Sequence, residues 1–163
     1  DVDRLWCRHI LDSLSVSSDL VGARVLDFGS GGGFPGIPLA IANPERTFTL
    51  LDRHQRKCRF LEQVSLTLGL RNVTVCCADL SSLVDVEPFD CITSRAVAPT
   101  ATLWRLVEHL LVPQGRLVAM ASTGAGSQSD EQLPLGAKCE QRRIPGLEPL
   151  HEVVIIDKQR MDG

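Results

Sequence analysis

Apolar residues in this chain fall into short unbroken runs, separated by stretches in which they recur every three to four positions. The runs Arg24–Phe28, Thr47–Leu51, Val73–Cys77, Phe89–Thr93 and Arg116–Ala121 read as strands. A strand with one wet face would alternate apolar and polar positions, so continuous runs suit a parallel sheet covered on both faces. Between them, residues 35–43, 54–68 and 101–111 carry helical spacing. Pro35 suits a first helical turn, where its missing N–H costs nothing. In 54–68 the residues Phe60, Leu61, Val64 and Leu68 are expected to point inward, and Gly69 stops the helix. The helix over 101–111 is expected to end at the turn Pro113-Gln114-Gly115. Strands alternating with helices in this way give right-handed βαβ crossovers.

The two ends of the chain read differently. Residues 3–14 form a helix in which Trp6, Ile10 and Leu14 make an apolar stripe with Leu11 beside it. Leu5, His9, Asp12 and Ser13 share another side, and Arg8 stands one turn before Asp12, where an ion pair can form. Thr123–Asp130, rich in Gly and Ser, reads as a mobile loop. Lys138–Ile144 and Glu152–Asp157 read as a closing strand pair joined through Pro145–Pro149. The α/β expectation is therefore one sheet within a single domain spanning 1–163, with 1–15 as an N-terminal helix.

Composition narrows the class. At 163 residues the chain is one domain's worth, and 44% apolar with 23% charged residues is that of a soluble globule. No stretch is long and apolar enough for a membrane helix and no signal peptide is recognisable, so a cytoplasmic monomer is expected. The six cysteines show no CxxC pair; Cys76, Cys77 and Cys91 fall in strands and are expected as core residues, and no metal site is expected. A net charge of −3 argues against gripping nucleic acid by bulk charge. The basic cluster Arg53, Arg56, Lys57 and Arg59 is either a solvated helix face or a local phosphate contact.

The chemistry concentrates where the first strand ends, at Val25-Leu26-Asp27-Phe28-Gly29-Ser30-Gly31-Gly32-Gly33-Phe34-Pro35-Gly36. Gly31, Gly33 and Gly36 also satisfy the dinucleotide spacing G-x-G-x-x-G, which admits a nicotinamide-dependent oxidoreductase. Asp27 separates the two readings. A loop built for pyrophosphate attracts anions, and a carboxylate beside it would repel them. S-adenosylmethionine, with a sulfonium and an ammonium against one carboxylate, suits Asp27 better. Asp52 closes the second strand, where an acid can accept hydrogen bonds from both ribose hydroxyls of an adenosyl group. Asp79 follows the third strand within reach of an adenine amino group, while Leu80 and Ser81 offer apolar contact and backbone donors. Ser94-Arg95-Ala96 lies beyond the fourth strand, at the edge where open α/β sheets bind ligands, and Arg95 could meet cofactor, RNA phosphate or a base. His9, Asp12 and Ser13 imitate a hydrolytic triad but lie on one helix with no oxyanion hole beside them. They are either a lid over the cofactor cleft or a satisfied polar face. His54, His109 and His151 suggest no metal site.

At these residues the chain resembles a known family. Arg8-His9-Ile10-Leu11-Asp12-Ser13-Leu14, the loop Asp27–Pro38, Leu50-Leu51-Asp52 and Ser94-Arg95-Ala96 are similar in order and spacing to the bacterial small-subunit ribosomal RNA guanine-N7 methyltransferases, also called glucose-inhibited division protein B. The resemblance runs from Arg4 to about Gly115. It implies a Rossmann-like class I methyltransferase fold with a mostly parallel seven-strand sheet, S-adenosylmethionine as donor, and a guanine of small-subunit ribosomal RNA as acceptor. Cofactor contacts would fall on Gly29, Phe34, Asp52, Asp79, Leu80, Ser81 and Arg95, with Asp27 and Gly31 added from the loop itself. The family often has an acid where Ser81 stands; the nearest here is Asp79. On the substrate side the expected residues are Arg8, His9, Asp12, Ser13, Arg95 and His151. Two cations usual in the family are replaced. The stretch after the fifth strand reads Ala119-Met120-Ala121-Ser122 without its lysine, and Leu150 stands where an arginine often precedes His151. The family's N-terminal helical segment is not found before Asp1, so a missing upstream segment is expected. Cofactor binding is thus expected to be better preserved than RNA binding, and a module that binds without turnover is the alternative.

Overall fold

A computed structural model describes residues 1–95, 97–121, 132–147 and 150–161. Helix α1 (Val2–Leu14) precedes β1 (Arg24–Phe28), α2 (Gly36–Ala42), β2 (Thr47–Asp52), α3 (Gln55–Thr67) and β3 (Val73–Cys77). Then follow β4 (Phe89–Arg95), α4 (Thr100–Val107), β5 (Leu111–Met120), β6 (Lys138–Arg142) and β7 (His151–Asp157). The strands form one seven-stranded sheet in the order β3-β2-β1-β4-β5-β7-β6. The pairings from β3 through β5 are parallel, and β7 runs antiparallel to both β5 and β6.

The unbroken apolar runs have a direct cause: in β1, β2, β4, β5 and β7 successive residues feed different cores. Val25, Phe48, Leu50, Cys91, Val118, Met120, Val153 and Ile155 join one cluster with Ile37 and Leu39 of α2 and Leu61 of α3. Leu26, Leu51, Ile92, Leu117, Ala119, Val154 and Ile156 join the other with Leu103 and Val107 of α4. Side chains alternate across a strand, so both parities must be apolar when both faces are covered. The central strands β1 and β4 end side by side, Phe28 against Ser94, and this carboxyl edge carries the site.

Several expectations are corrected. The apolar stripe of α1 faces outward: Trp6, Ile10 and Leu14 are 47%, 40% and 38% exposed, while Asp12 and Ser13 are buried. The polar face turns inward because it finds partners there, described below, and a buried polar group with partners is tolerated. Strand β5 starts at Leu111 rather than Arg116. The tripeptide Pro113-Gln114-Gly115 is a kink within it, with Gln114 at φ +67°, and the register against β4 shifts there. Helix α4 stops at Val107 and gives way to a 3-10 turn over Glu108–Leu110. On α3 Leu61 is buried as expected, but Phe60 and the capping Leu68 are exposed. Cys91 is buried as expected, but β3 is an edge strand and Cys77 is exposed. The loop expected over Thr123–Asp130 lies outside the described residues. Among the described residues no helix is long and apolar enough to cross a membrane.

Candidate active site

Beyond β1 the chain turns at Gly29, whose φ of +72° favours glycine, and a Cβ there would meet Val97 Cγ2 at 2.6 Å. The backbone N–H groups of Gly29 and Ser30 donate to the carbonyl of Leu51 at 2.9 and 3.0 Å, tying the loop to the end of β2. Asp27 lies beneath this loop with no exposed surface. It accepts from Thr93 Oγ1 and from Ser30 Oγ, both at 2.8 Å, and from the backbone N–H of Gly36. Burial pushes its carboxyl up to about 6, against the pull of these three donors, and the nearby charge of Asp52 adds to the rise. Asp27 was expected to face a bound cation. Instead it does not line the cleft, and it braces the loop and the first turn of α2 from below.

Asp52 stands at the opposite side of the loop. Its Oδ2 accepts the backbone N–H of Gly31 at 3.0 Å, and its Oδ1 accepts the backbone N–H of His54 at 2.9 Å. The ring Nδ1 of His54 is also 2.9 Å from Oδ1. Burial would raise this carboxyl, but the bonds from His54 and Gly31 outweigh it and hold Asp52 below its ordinary value, ionised at neutral pH. A carboxylate offers about four lone-pair sites, of which the two backbone N–H groups and the His54 ring take three. The fourth can receive one hydroxyl, and a second is received once the half-exposed His54 ring turns away. The cleft in front of Asp52 measures about 380 Å³, within the usual range of small-ligand sites. Gly29, Asp79 and Leu80 line it, and Phe28, Leu51, Val97 and Leu106 give it apolar walls. An adenosyl group fits this chemistry, with ribose hydroxyls on Asp52 and a flat ring between apolar side chains.

On the side of the loop facing α1, a second group of residues converges. Phe34 carries His9 stacked on it, ring centres 5.2 Å apart and 23° from parallel, and Trp6 tilted against it at 5.6 Å. Arg95, at the end of β4, sends its Nη2 to within 2.7 Å of His9 Nδ1 and places Nε 3.7 Å from Asp12 Oδ2. Asp12 Oδ1 meets His151 Nδ1 at 2.8 Å. Ser13 Oγ donates to the carbonyl of His9 at 2.7 Å and stays within its own helix. Burial lowers the His9 pKa, and the Arg95 guanidinium lowers it further, with Asp12 pulling the other way and Arg8 adding to the fall.

Gly29, Asp52, Asp79 and Leu80 thus share the cleft, with Gly31 joined to it through Asp52. Phe34, Arg95, His9, Asp12 and His151 form the adjoining cluster, while Ser81 does not line the cleft and sits in the 3-10 turn after Asp79. His151 serves Asp12 in this arrangement. Arg8 lines a neighbouring hollow with Arg4, Leu11 and Leu147. Sequence reasoning missed His54 and Val97; the only signal for His54 was its place two residues after Asp52. Of the basic cluster, Arg53 and Lys57 line the cleft. Among the described residues no group of side chains could hold a metal ion.

Comparison with known proteins agrees with this geometry. The model of a family described as rRNA small subunit methyltransferase G matches residues 1–146. Ribosomal RNA small subunit methyltransferase G of Methylococcus capsulatus is 44% identical over 142 residues, covering 86% of this chain and 69% of that protein. Its counterpart in Hydrogenovibrio crunogenus is 41% identical over 163 residues, covering 97% and 74%. Among solved structures, an S-adenosylmethionine-dependent O-methyltransferase from Thermotoga maritima superposes with a TM-score of 0.68 at 15% identity, covering 93% of this chain and 66% of that one. An rRNA methylase from Streptococcus thermophilus gives 0.60 at 17% identity, covering 92% and 95%. These structural likenesses show the fold, that of the class I S-adenosylmethionine-dependent methyltransferases. The chain belongs to the rRNA small subunit methyltransferase G family.

Proposed function

We propose that this protein transfers a methyl group from S-adenosylmethionine to N7 of a guanine in small-subunit ribosomal RNA. The observation that carries the reading is the joining of Asp52 to the glycine loop, with Oδ2 on the Gly31 N–H at the mouth of an apolar cleft. Family membership supplies the acceptor, since the relatives are named for ribosomal RNA of the small subunit. That substrate places the reaction in the bacterial cytoplasm.

When bound, the cofactor supplies an electrophilic methyl on a sulfonium. Guanine N7 presents an in-plane lone pair and has no proton to lose, so the chain needs no general base. Its residues have positioning work instead. Asp52 would hold the ribose, Leu80 and Val97 would flank the base, and the braced loop would fix the donor's depth. Holding two reactants in line and excluding water can be worth roughly 7–11 kcal/mol. The experiment is transfer of labelled methyl to small-subunit ribosomal RNA and to assembled subunits, mapped by strand cleavage specific for 7-methylguanine. One cleavage site is the expected outcome. A second reading, binding without turnover, draws on the uncharged run Ala119, Met120 and Ala121 at the carboxyl end of β5. Donor binding with no transfer to either acceptor would select it.

A further inference from the structure

Guanine and adenine both present N7 to an enzyme that approaches their Hoogsteen edge, and the neighbouring group tells them apart. Guanine has the O6 acceptor there and adenine an N6 amino donor. A residue that selects guanine at N7 must therefore offer a donor and never an acceptor. A neutral histidine can be either, depending on which ring nitrogen carries the proton. The choice is fixed for His9. Arg95 Nη2 lies 2.7 Å from His9 Nδ1, and a guanidinium can only donate, so Nδ1 accepts and the proton of the neutral ring sits on Nε2. Arg95 is held in turn by Asp12, whose other oxygen is taken by His151. Stacking on Phe34 fixes the plane of the ring against the glycine loop. Among the described residues nothing hydrogen-bonds His9 Nε2, although its ring is partly buried.

We propose that His9, locked by Arg95 as the Nε2–H tautomer, is the specificity-determining residue that donates to O6 of the target base and admits guanine rather than a 6-aminopurine. The inference rests on the reading of the site as a guanine-N7 methyltransferase. Burial and the Arg95 charge both keep His9 neutral near pH 7. That suits the reaction, since an imidazolium would oppose the positive charge that the methylated base acquires.

The test uses the whole chain with small-subunit RNA carrying either guanine or 2,6-diaminopurine at the mapped position. The second base keeps N7 and the 2-amino group and replaces O6 by an amine. The wild-type protein is expected to prefer guanine by roughly tenfold to a hundredfold in kcat/KM. His9→Gln, whose amide oxygen can accept from Arg95 while its N–H still donates, keeps most of that preference. His9→Phe keeps a ring against Phe34 but has no donor, and its preference falls toward one. Arg95→Met frees the tautomer and narrows the preference as well, which gives a second readout should His9→Phe fold poorly. Melting temperature and S-adenosylhomocysteine affinity separate these effects from a damaged fold. An unchanged preference in His9→Phe, with both rates lowered equally, would mean that His9 meets backbone or phosphate, and the inference would be overturned while methyl transfer stood. Absence of transfer by the wild-type protein to either RNA would overturn the underlying reading, and this inference with it.

Discussion

Asp12 Oδ1 and His151 Nδ1 lie 2.8 Å apart, so one hydrogen bond joins the first helix to the last strand. Both side chains are largely buried, at 9% and 16% exposure, and Asp12 also faces Arg95. His151 thereby sets where Asp12 sits, Asp12 sets Arg95, and Arg95 sets His9.

Replacing His151 by Ala leaves Asp12 buried without that donor. The expected cost is about 1–3 kcal/mol, the penalty of an unsatisfied buried polar group. Urea unfolding measures it, and a change under about 0.5 kcal/mol would show that water replaces the imidazole without loss.

Asp52→Ala removes the acceptor at the mouth of the cleft. Binding of S-adenosylmethionine is expected to weaken by about 1.5–3 kcal/mol, the scale of a hydrogen bond to a charged group. Titration calorimetry reads this directly, and an unchanged dissociation constant would take Asp52 out of the site.

Asp27 makes stability depend on pH with a definite sign. Its folded pKa of about 6 lies above the ordinary 3.8, so the folded protein binds this proton more tightly than the unfolded chain does. The group's contribution is therefore fully present at low pH and is lost as pH rises from about 4 through 6. Asp27→Asn removes that dependence. Relative to wild type, the variant is expected to gain stability over this window by up to about 3 kcal/mol, as read by denaturant unfolding at several pH values. Parallel curves for the two proteins would show that the folded carboxyl titrates as it does in the unfolded chain.

Gly36 starts α2 directly against Asp27. A Cβ there would meet Leu50 Cδ2 at 2.5 Å and Asp27 Oδ2 at 2.7 Å. Gly36→Ala is expected to destabilise by about 1–3 kcal/mol through overpacking, despite the better helix propensity of alanine. A rise in melting temperature would show that the loop gives way easily.

Most of the sheet was legible because β1, β2, β4, β5 and β7 each serve two cores, which leaves both parities apolar and the runs conspicuous. Asp52 and Gly29 were legible because a short motif carries them. Helix α1 was legible as a helix but not in its orientation. Periodicity assigns the interior to Trp6, Ile10 and Leu14, and it cannot anticipate that Asp12 will find His151 and Arg95 waiting. The link between His9 and Arg95 spans 86 residues of sequence, so each residue could be singled out but not their pairing. The bend in β5 escaped for a related reason: a Pro-Gln-Gly tripeptide reads as a turn until the neighbouring strand shows that pairing resumes on both sides.

Fastening α1 by its polar face has a mechanical consequence. Apolar packing tolerates small rotations of a helix about its axis, because dispersion contacts are many and weakly directional. Hydrogen bonds weaken steeply once bent, so the Asp12 and His9 bonds fix the helix's azimuth rather than merely its depth. The element that bears on the aromatic group of the site is thus aimed accurately by a few bonds and only lightly anchored. Its amide protons should exchange with solvent through local opening long before those of the central strands.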